Sequence, residues 1–242
     1  MKRFFTMLLL LVVVGCAAHA DEITFRGIPW AVSLIEFHEA LGAEGIAYKR
    51  DDTGTRFGSF ENKGYFSFAG VQPEWYFEEI PSLDVKYKSI DDSPLCYVGG
   101  YAVDFIYATF LPHCSNDETK IYASDEYSSL VRASYQLYGK NEAGKYVEYD
   151  KVFEDLEYKL TALYGPPTGD ETFALTGTYT KYWIADDLTA VSLSKTSIGI
   201  SGWIKIEYAY ANEKDFIEKL DRVVKYQRQL ELENGLDNVD GL

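Results

Sequence analysis

Hydrophobic positions recur at spacings of three and four through YDKVFEDLEYKLTALYGPP, residues 149–167. Tyr149, Val152, Phe153, Leu156, Leu160, Leu163 and Tyr164 fall on one helical face, with Asp150, Lys151, Glu154, Asp155, Glu157 and Lys159 mostly on the other. Gly165 can take the left-handed conformation that ends a helix, and Pro166 and Pro167 forbid its continuation. On both sides the period changes to two and the residues become rich in Tyr, as in strands. The helix is therefore expected to pack on a curved antiparallel sheet.

A second helix signal precedes it. Ser33 is placed as N-cap, Glu36 completes a capping box three residues on, and Val32 and Phe37 take the staple positions. Leu34, Phe37 and Leu41 share a face, and Gly42 is the expected stop. His38 falls beside that face and reads as a partly exposed surface residue. Ile23–Phe25 reads as a short first strand. Further strands are expected at Ile46–Arg50, Arg56–Phe60, Tyr65–Phe68 and Val85–Lys88, with turns at Asp51–Gly54 and Asn62–Gly64. The piece QPEWYFEEIP is ambiguous, a loop whose Trp75 plugs the core being one reading.

The strongest alternation runs from Tyr101 to Leu111, with Val103, Phe105, Tyr107, Thr109 and Leu111 on one side and Ala102, Asp104, Ile106, Ala108 and Phe110 on the other. Gly99-Gly100 before it predicts a bulge or a hairpin turn. Leu130–Tyr138 alternates in the same way, with Val131, Ala133, Tyr135 and Leu137 opposite Arg132, Ser134 and Gln136. A meander of three strands is expected at Thr178–Ala185, Thr189–Ser194 and Trp203–Tyr210. A final helix follows at about residues 213–233, with Asn212 as cap and Phe216, Leu220, Val223, Gln227 and Leu230 as its stripe. The fold class is α+β, amphipathic helices packed on antiparallel sheet. It is organised as one large domain or as two tandem modules, 21–95 and 96–212, before a C-terminal helix and tail at 213–242.

The first twenty residues stand apart from this pattern. Lys2 and Arg3, the apolar run Phe4–Val14 and the Ala18-His19-Ala20 site make a signal peptide cleaved before Asp21. Val13-Val14-Gly15-Cys16 also resembles a lipobox, in which Cys16 is lipidated and becomes the N-terminus. The protein is thus expected to be exported, periplasmic or extracellular, with a lipid anchor as its only route to a membrane. Removing Lys2 and Arg3 from the 23 basic residues leaves 21 against 38 acidic ones, a formal charge of −17. That charge disfavours nucleic acid and anionic headgroups as partners.

Candidate chemistry is sparse. Past residue 20 there are two His, His38 and His113, and two Cys, Cys96 and Cys114, without the close spacing a zinc site needs. Acidic doublets at Asp51-Asp52, Glu78-Glu79, Asp91-Asp92 and Asp186-Asp187 lack calcium-loop spacing and read as turn residues. Neither a metal nor a cofactor is expected. Cys96 and Cys114 are expected to remain unbonded. A hairpin at Gly99-Gly100 pairs Cys96 near Val103 and leaves Cys114 roughly 33 Å further along the strand, against a Cα reach of about 4.4 to 6.8 Å for a disulfide. The aromatic stock offers more: Trp75, Tyr76, Tyr179, Tyr182 and Trp183 are candidates for stacking on sugar rings or anchoring a protein.

The stretch AVSLIEFHEALG, residues 31–42, resembles the helix motif of small exported modules of the outer-membrane assembly lipoprotein type (SmpA/OmlA, also called BamE). Ser33, Glu36, Leu41 and Gly42 match that pattern; Phe37 replaces a Val, and Ala31-Val32 replace Gly-Met. The resemblance implies a helix on a small antiparallel sheet, and the β-lactamase inhibitory proteins look like tandem copies of it. Residues 156–166, LEYKLTALYGP, then read as the second copy's helix. The matching residues are caps and core, so the resemblance carries no binding residue. Two functions are expected on these grounds: a non-enzymatic envelope or extracellular binding protein that contacts another protein through aromatic and acidic surface, or a carbohydrate-active protein using Trp and Tyr platforms with paired carboxylates.

Overall fold

A computed structural model describes residues 23–50, 56–60, 80–91, 93–122, 124–173, 177–185, 189–198, 201–210 and 213–237. In chain order the elements are α1 (Leu34–Ala43), β1 (Tyr48–Arg50), β2 (Arg56–Phe60), β3 (Ile80–Ser89), β4 (Cys96–Val98), β5 (Tyr101–Val103), β6 (Phe105–Cys114), β7 (Ile121–Tyr122) and β8 (Ser128–Leu137). After them come α2 (Tyr149–Tyr164), β9 (Gly169–Phe173), β10 (Thr178–Ile184), β11 (Thr189–Ile198), β12 (Ser201–Tyr210) and α3 (Glu213–Asp237). The fold is α+β. Among the described residues its main sheet has ten strands, eight of them in the order β1-β3-β6-β8-β12-β11-β10-β9, with β2 paired to β3 and β7 to β6. The pairings are antiparallel, and β4–β5 forms a separate hairpin.

The capping box of α1 forms as the sequence predicts. Ser33 Oγ accepts from the Glu36 N–H, and the Glu36 carboxylate accepts from the Ser33 N–H at 2.8 Å. Leu34, Phe37 and Leu41 are buried. The stop is Gly45 (φ 74°) rather than Gly42, because the Ile46 and Gly45 N–H groups cap the carbonyls of Leu41 and Gly42 in a Schellman motif. Phe37 packs its ring on Tyr87 of β3 and Phe110 of β6, at centroid separations of 5.9 and 5.6 Å. In α2, Val152, Phe153, Leu156 and Leu160 are buried, and Phe153 meets Tyr179 of β10 at 5.5 Å. Leu163, expected on the same face, is 62% exposed, while its neighbour Tyr164 packs on the core.

Ile23–Phe25 is not a strand. Phe25 makes an isolated bridge to Ile28, and its ring stacks on Tyr135 at 4.6 Å and meets Tyr208 edge-on at 5.7 Å. Those two tyrosines come from β8 and β12, the adjacent central strands, so this segment fills the middle of the core. Trp30 closes it by donating from Nε1 to the Ile23 carbonyl at 2.9 Å.

The expected strand Tyr101–Leu111 breaks at Asp104. That break lets Val103 turn into the core while Phe105 stays half-exposed. Gly99 and Gly100, both at positive φ, make the hairpin turn, and Cys96 pairs opposite Val103. Both thiols are free. In β8 the pairing slips by one residue, so that Thr109 faces Arg132 and Phe110 faces Leu130. Val131 is therefore skipped by the ladder, and it is Leu130 that joins Ala133, Tyr135 and Leu137 in the main core.

The expected three-strand meander gains a fourth member, β9, paired to β10. The C-terminal helix keeps Leu220 and Val223 buried, whereas Leu230 lies near the exposed end. Arg222 pairs with Glu118 at 2.8 Å, and Gln227 donates to the Thr119 carbonyl at 3.2 Å, holding α3 beside the β6–β7 turn. No helix among the described residues is long and apolar enough to cross a membrane. Tyr65–Phe68 and Asn212 lie outside the described residues, as do the side chain of Phe216 and most of QPEWYFEEIP.

Candidate functional site

The described members of the expected aromatic set do not gather into one platform. Trp75 and Tyr76 lie outside the described residues, as does Cys16. Tyr179, Tyr182 and Trp183 all belong to β10, where alternation sends Tyr182 to the face opposite the other two. Trp183 is 1% exposed and donates from Nε1 to the Gly165 carbonyl at 3.0 Å, docking the end of α2. It has no open ring face for a ligand. Tyr182 is 9% exposed and lies across Gly169 of β9, where any side chain would collide with its ring. Tyr179 is half-buried against Phe153, and its hydroxyl donates to Asp170 at 3.1 Å. Of the acidic doublets only Asp91 is described. Its carboxylate accepts from Ser89, from the Ser93 hydroxyl and from the Ser93 N–H, which is turn usage.

The register of the sheet brings together a different set. Opposite the helix-facing core, one row crosses the strands as Asp84, Thr109 and Arg132. A second runs Lys86, Tyr107, Ser134, Glu207, Ser192, Tyr182. A third runs Lys49, Lys88, Phe105, Gln136, Lys205, Ser194, Thr180, Glu171. Neighbours along this face hold one another. Thr109 donates to Asp84 at 2.7 Å, Thr180 and Ser194 share a 2.8 Å hydrogen bond, and Lys205 pairs with Glu207. The Lys86 ammonium sits 3.9 Å from the centroid of the Phe105 ring. Arg132, Ser134, Thr180 and Glu207 are buried although they belong to a polar surface, because long side chains laid along a sheet cover their neighbours. At one end the face is shared with α3, whose Lys219 helps burial lower the pKa of His113.

Where the third row reaches the sheet edge it opens into a cleft of about 690 Å³. Lys49 and Lys88 stand on it as directly opposed residues of β1 and β3. Lys140 and Asn141 form the other wall, on a turn tied to the β4–β5 hairpin by Ala102 N–H to the Lys140 carbonyl (2.7 Å) and Glu142 N–H to the Gly100 carbonyl (3.2 Å). Asn141 Oδ1 fixes that turn by accepting from the Ala143 and Lys145 N–H groups. Tyr97, Phe105 and Tyr138 supply aromatic surface. Among the described residues, Asp104 and Glu142 are the carboxylates that line the cleft. Asp104 accepts from the Tyr138 N–H at 3.1 Å, and burial raises its pKa above the usual carboxylate value against the opposing pull of that bond and of Lys140. Such a cleft can hold a small ligand that presents polar groups beside apolar surface.

This cleft escaped the sequence reading. Lys49 and Lys88 are 39 residues apart and are ordinary polar positions in their own strands; only register opposes them. His113 and Ser129 are joined by a 2.8 Å hydrogen bond, but Ser129 is buried and has no room to act as a nucleophile. Among the described residues no group of three or more His, Cys, Asp or Glu is placed to hold a metal. No family model matches the chain, and no curated protein and no solved structure is significantly similar to it.

Proposed function

We propose that this chain is an exported, non-enzymatic binding protein of the bacterial envelope that contacts another protein through the polar sheet face and the cleft at its edge. The observation that carries the reading is the crossed rows of charged groups and hydroxyls on that face, in which Arg132, Lys86, Lys49, Lys88 and Lys205 stand with Asp84, Glu207 and Glu171. They are ordered before any partner arrives, which reduces the ordering cost of association. They also set a locally basic surface into a strongly acidic chain, a contrast that steers a partner to one place. Tyr97 and Tyr146 beside the cleft are exposed aromatics of the kind that anchor interfaces. The test is a photo-crosslinking residue introduced at Lys86, and in a second protein at Tyr158, on the exposed surface of α2. The expected result is a specific protein adduct in native envelope from position 86 alone. Equal labelling from both positions, or none from position 86, sinks the reading.

A second reading draws on Asp104. A half-buried carboxyl with a raised pKa, among Tyr97, Phe105 and Tyr138 and sharing the cleft with Glu142, is what a carbohydrate-active site uses as proton donor. Release of a chromophore from aryl glycosides, abolished by Asp104→Asn, would favour it over the binding role.

The strand order also supports a tandem origin. From edge to centre, α1 is followed by β1, β3, β6 and β8, and α2 by β9, β10, β11 and β12; the two last strands pair antiparallel at the middle. Two copies related by a local twofold would give this order. The copies then meet between residues 138 and 148. A division at 95/96 would cut between β3 and β6, which pair along their length.

A further inference from the structure

The described tryptophans are of two kinds. Trp30 and Trp183 are buried, and each donates its indole N–H to a backbone carbonyl, at 2.9 and 3.0 Å. Trp203 of β12 is half-buried, its N–H is not sealed from water, and among the described residues nothing accepts from it. Gly202 lies against Tyr149 of α2 and Ile204 belongs to the core, so alternation sends Trp203 to the polar face with Lys205. There it stands opposite Thr196, whose hydroxyl shares a 2.7 Å hydrogen bond with that of Thr178. Shielding that pair asks only for a large side chain. It does not ask for an indole whose N–H is left to solvent.

Other aromatics continue from it. On the neighbouring strand Leu137 pairs with Ile204, so Tyr138 comes beside Trp203 at one strand spacing, about 4.8 Å. The Tyr138 hydroxyl accepts from Gln136 at 2.7 Å, which puts both on the polar face. Tyr138 also lines the cleft, where Tyr97 is 46% exposed. Phe105, in the same cleft, already carries the Lys86 ammonium over its ring. The open rings thus form a track from the centre of the sheet into the cleft, and Gln136, Lys205 and Ser194 flank it with polar groups. A protein hot spot sets its aromatic in a desolvated, well-packed pocket, and this surround is the reverse. A pyranose ring fits it better, laying its C–H face on the electron-rich ring face and turning its hydroxyls to the flanking amide, ammonium and hydroxyl. We infer that this track binds a linear glycan, one sugar stacked on Trp203 and the chain running over Tyr138 towards Tyr97. The inference rests on the polar face being a recognition surface, and it needs neither a protein partner nor acid chemistry at Asp104.

Isothermal titration of the full mature chain with cellohexaose and chitohexaose, each against its disaccharide, tests this. At least one hexasaccharide is expected to bind with a dissociation constant below about 1 mM, and about tenfold tighter than its disaccharide. Cellohexaose alone identifies plain hydroxyls as the recognised groups, and chitohexaose alone identifies the N-acetyl group. Trp203→Ala should weaken the hexasaccharide by about tenfold. Trp203→Phe, which keeps a ring and loses the N–H, should weaken it less, and it carries the test if the alanine variant does not fold. Tyr158→Ala on α2, 75% exposed, should leave binding unchanged. Thermal melts of each variant confirm that the fold persists. Saturable binding by neither hexasaccharide overturns the proposal, as does a folded Trp203→Ala protein that binds like the parent. Equal affinity for a hexasaccharide and its disaccharide overturns it too, since a track requires length. If both sugars fail while the crosslink from position 86 persists, the glycan site falls and the protein-binding role stands.

Discussion

The two faces of the central sheet are built by different physics. On one, Tyr87, Phe110, Tyr135, Trp183 and Tyr208 interlock with Phe37 of α1 and with residues of α2 and the Ile23–Trp30 segment in one apolar cluster. On the other, Asp84, Thr109, Lys205, Glu207, Ser194 and Thr180 engage neighbours through hydrogen bonds and ion pairs. The first removes apolar area from water, at about 25 cal/mol per Å². The second exchanges water for protein partners, a trade that is close to neutral. Outside the end covered by α3, stability should therefore reside on the side that faces α1 and α2, leaving the rest of the polar side available for recognition.

The largest expected effect breaks the first face. Phe110→Ala should cost about 3–5 kcal/mol by chemical denaturation, because its ring is fully buried against Phe37. Loss of the cap should come next: Ser33→Ala removes the acceptor for the Glu36 N–H and should cost about 1 kcal/mol. A smaller effect comes from pH. Burial lowers the pKa of both His38 and His113 below 6.5, so the unfolded chain takes up protons first as pH falls. Their contribution is complete above pH 6.5 and is lost as pH falls through that value toward the folded pKa. Melting temperature should drop over that window, with a shallower slope in His38→Gln. The smallest effect sharpens the contrast: Thr180→Val with Ser194→Ala, which removes both partners of one hydrogen bond, should change stability by less than about 1 kcal/mol.

How much of this could be read in advance follows from the range of each interaction. The capping box, the face of α2 and the Gly99-Gly100 hairpin opposing Cys96 to Val103 depend on residues within one turn or one hairpin. All were legible. The helix stop moved from Gly42 to Gly45 because two glycines lie close together and only the Schellman bonds decide between them. The slip at Val131 and the break at Asp104 are settled by the partner strand, which local alternation does not contain. The same holds for Tyr182 and Trp183, whose candidacy as ligand platforms ignored what lies across from them: Gly169 for one, the Gly165 carbonyl for the other. The cleft was least legible of all, since its lining is assembled by register and by a distant turn.

The claim that recognition and stability occupy opposite faces is tested most directly by Lys86→Glu in a protein that carries the photo-crosslinking residue at Tyr107, the position directly opposite Lys86, with unfolding and partner capture measured on the same preparation. Lys86 lies over Phe105 on the polar face and outside the apolar core. Stability should stay within about 1 kcal/mol of the parent, while crosslinked capture of the envelope partner falls to background. Capture at the parental level by a folded Lys86→Glu protein would contradict the account.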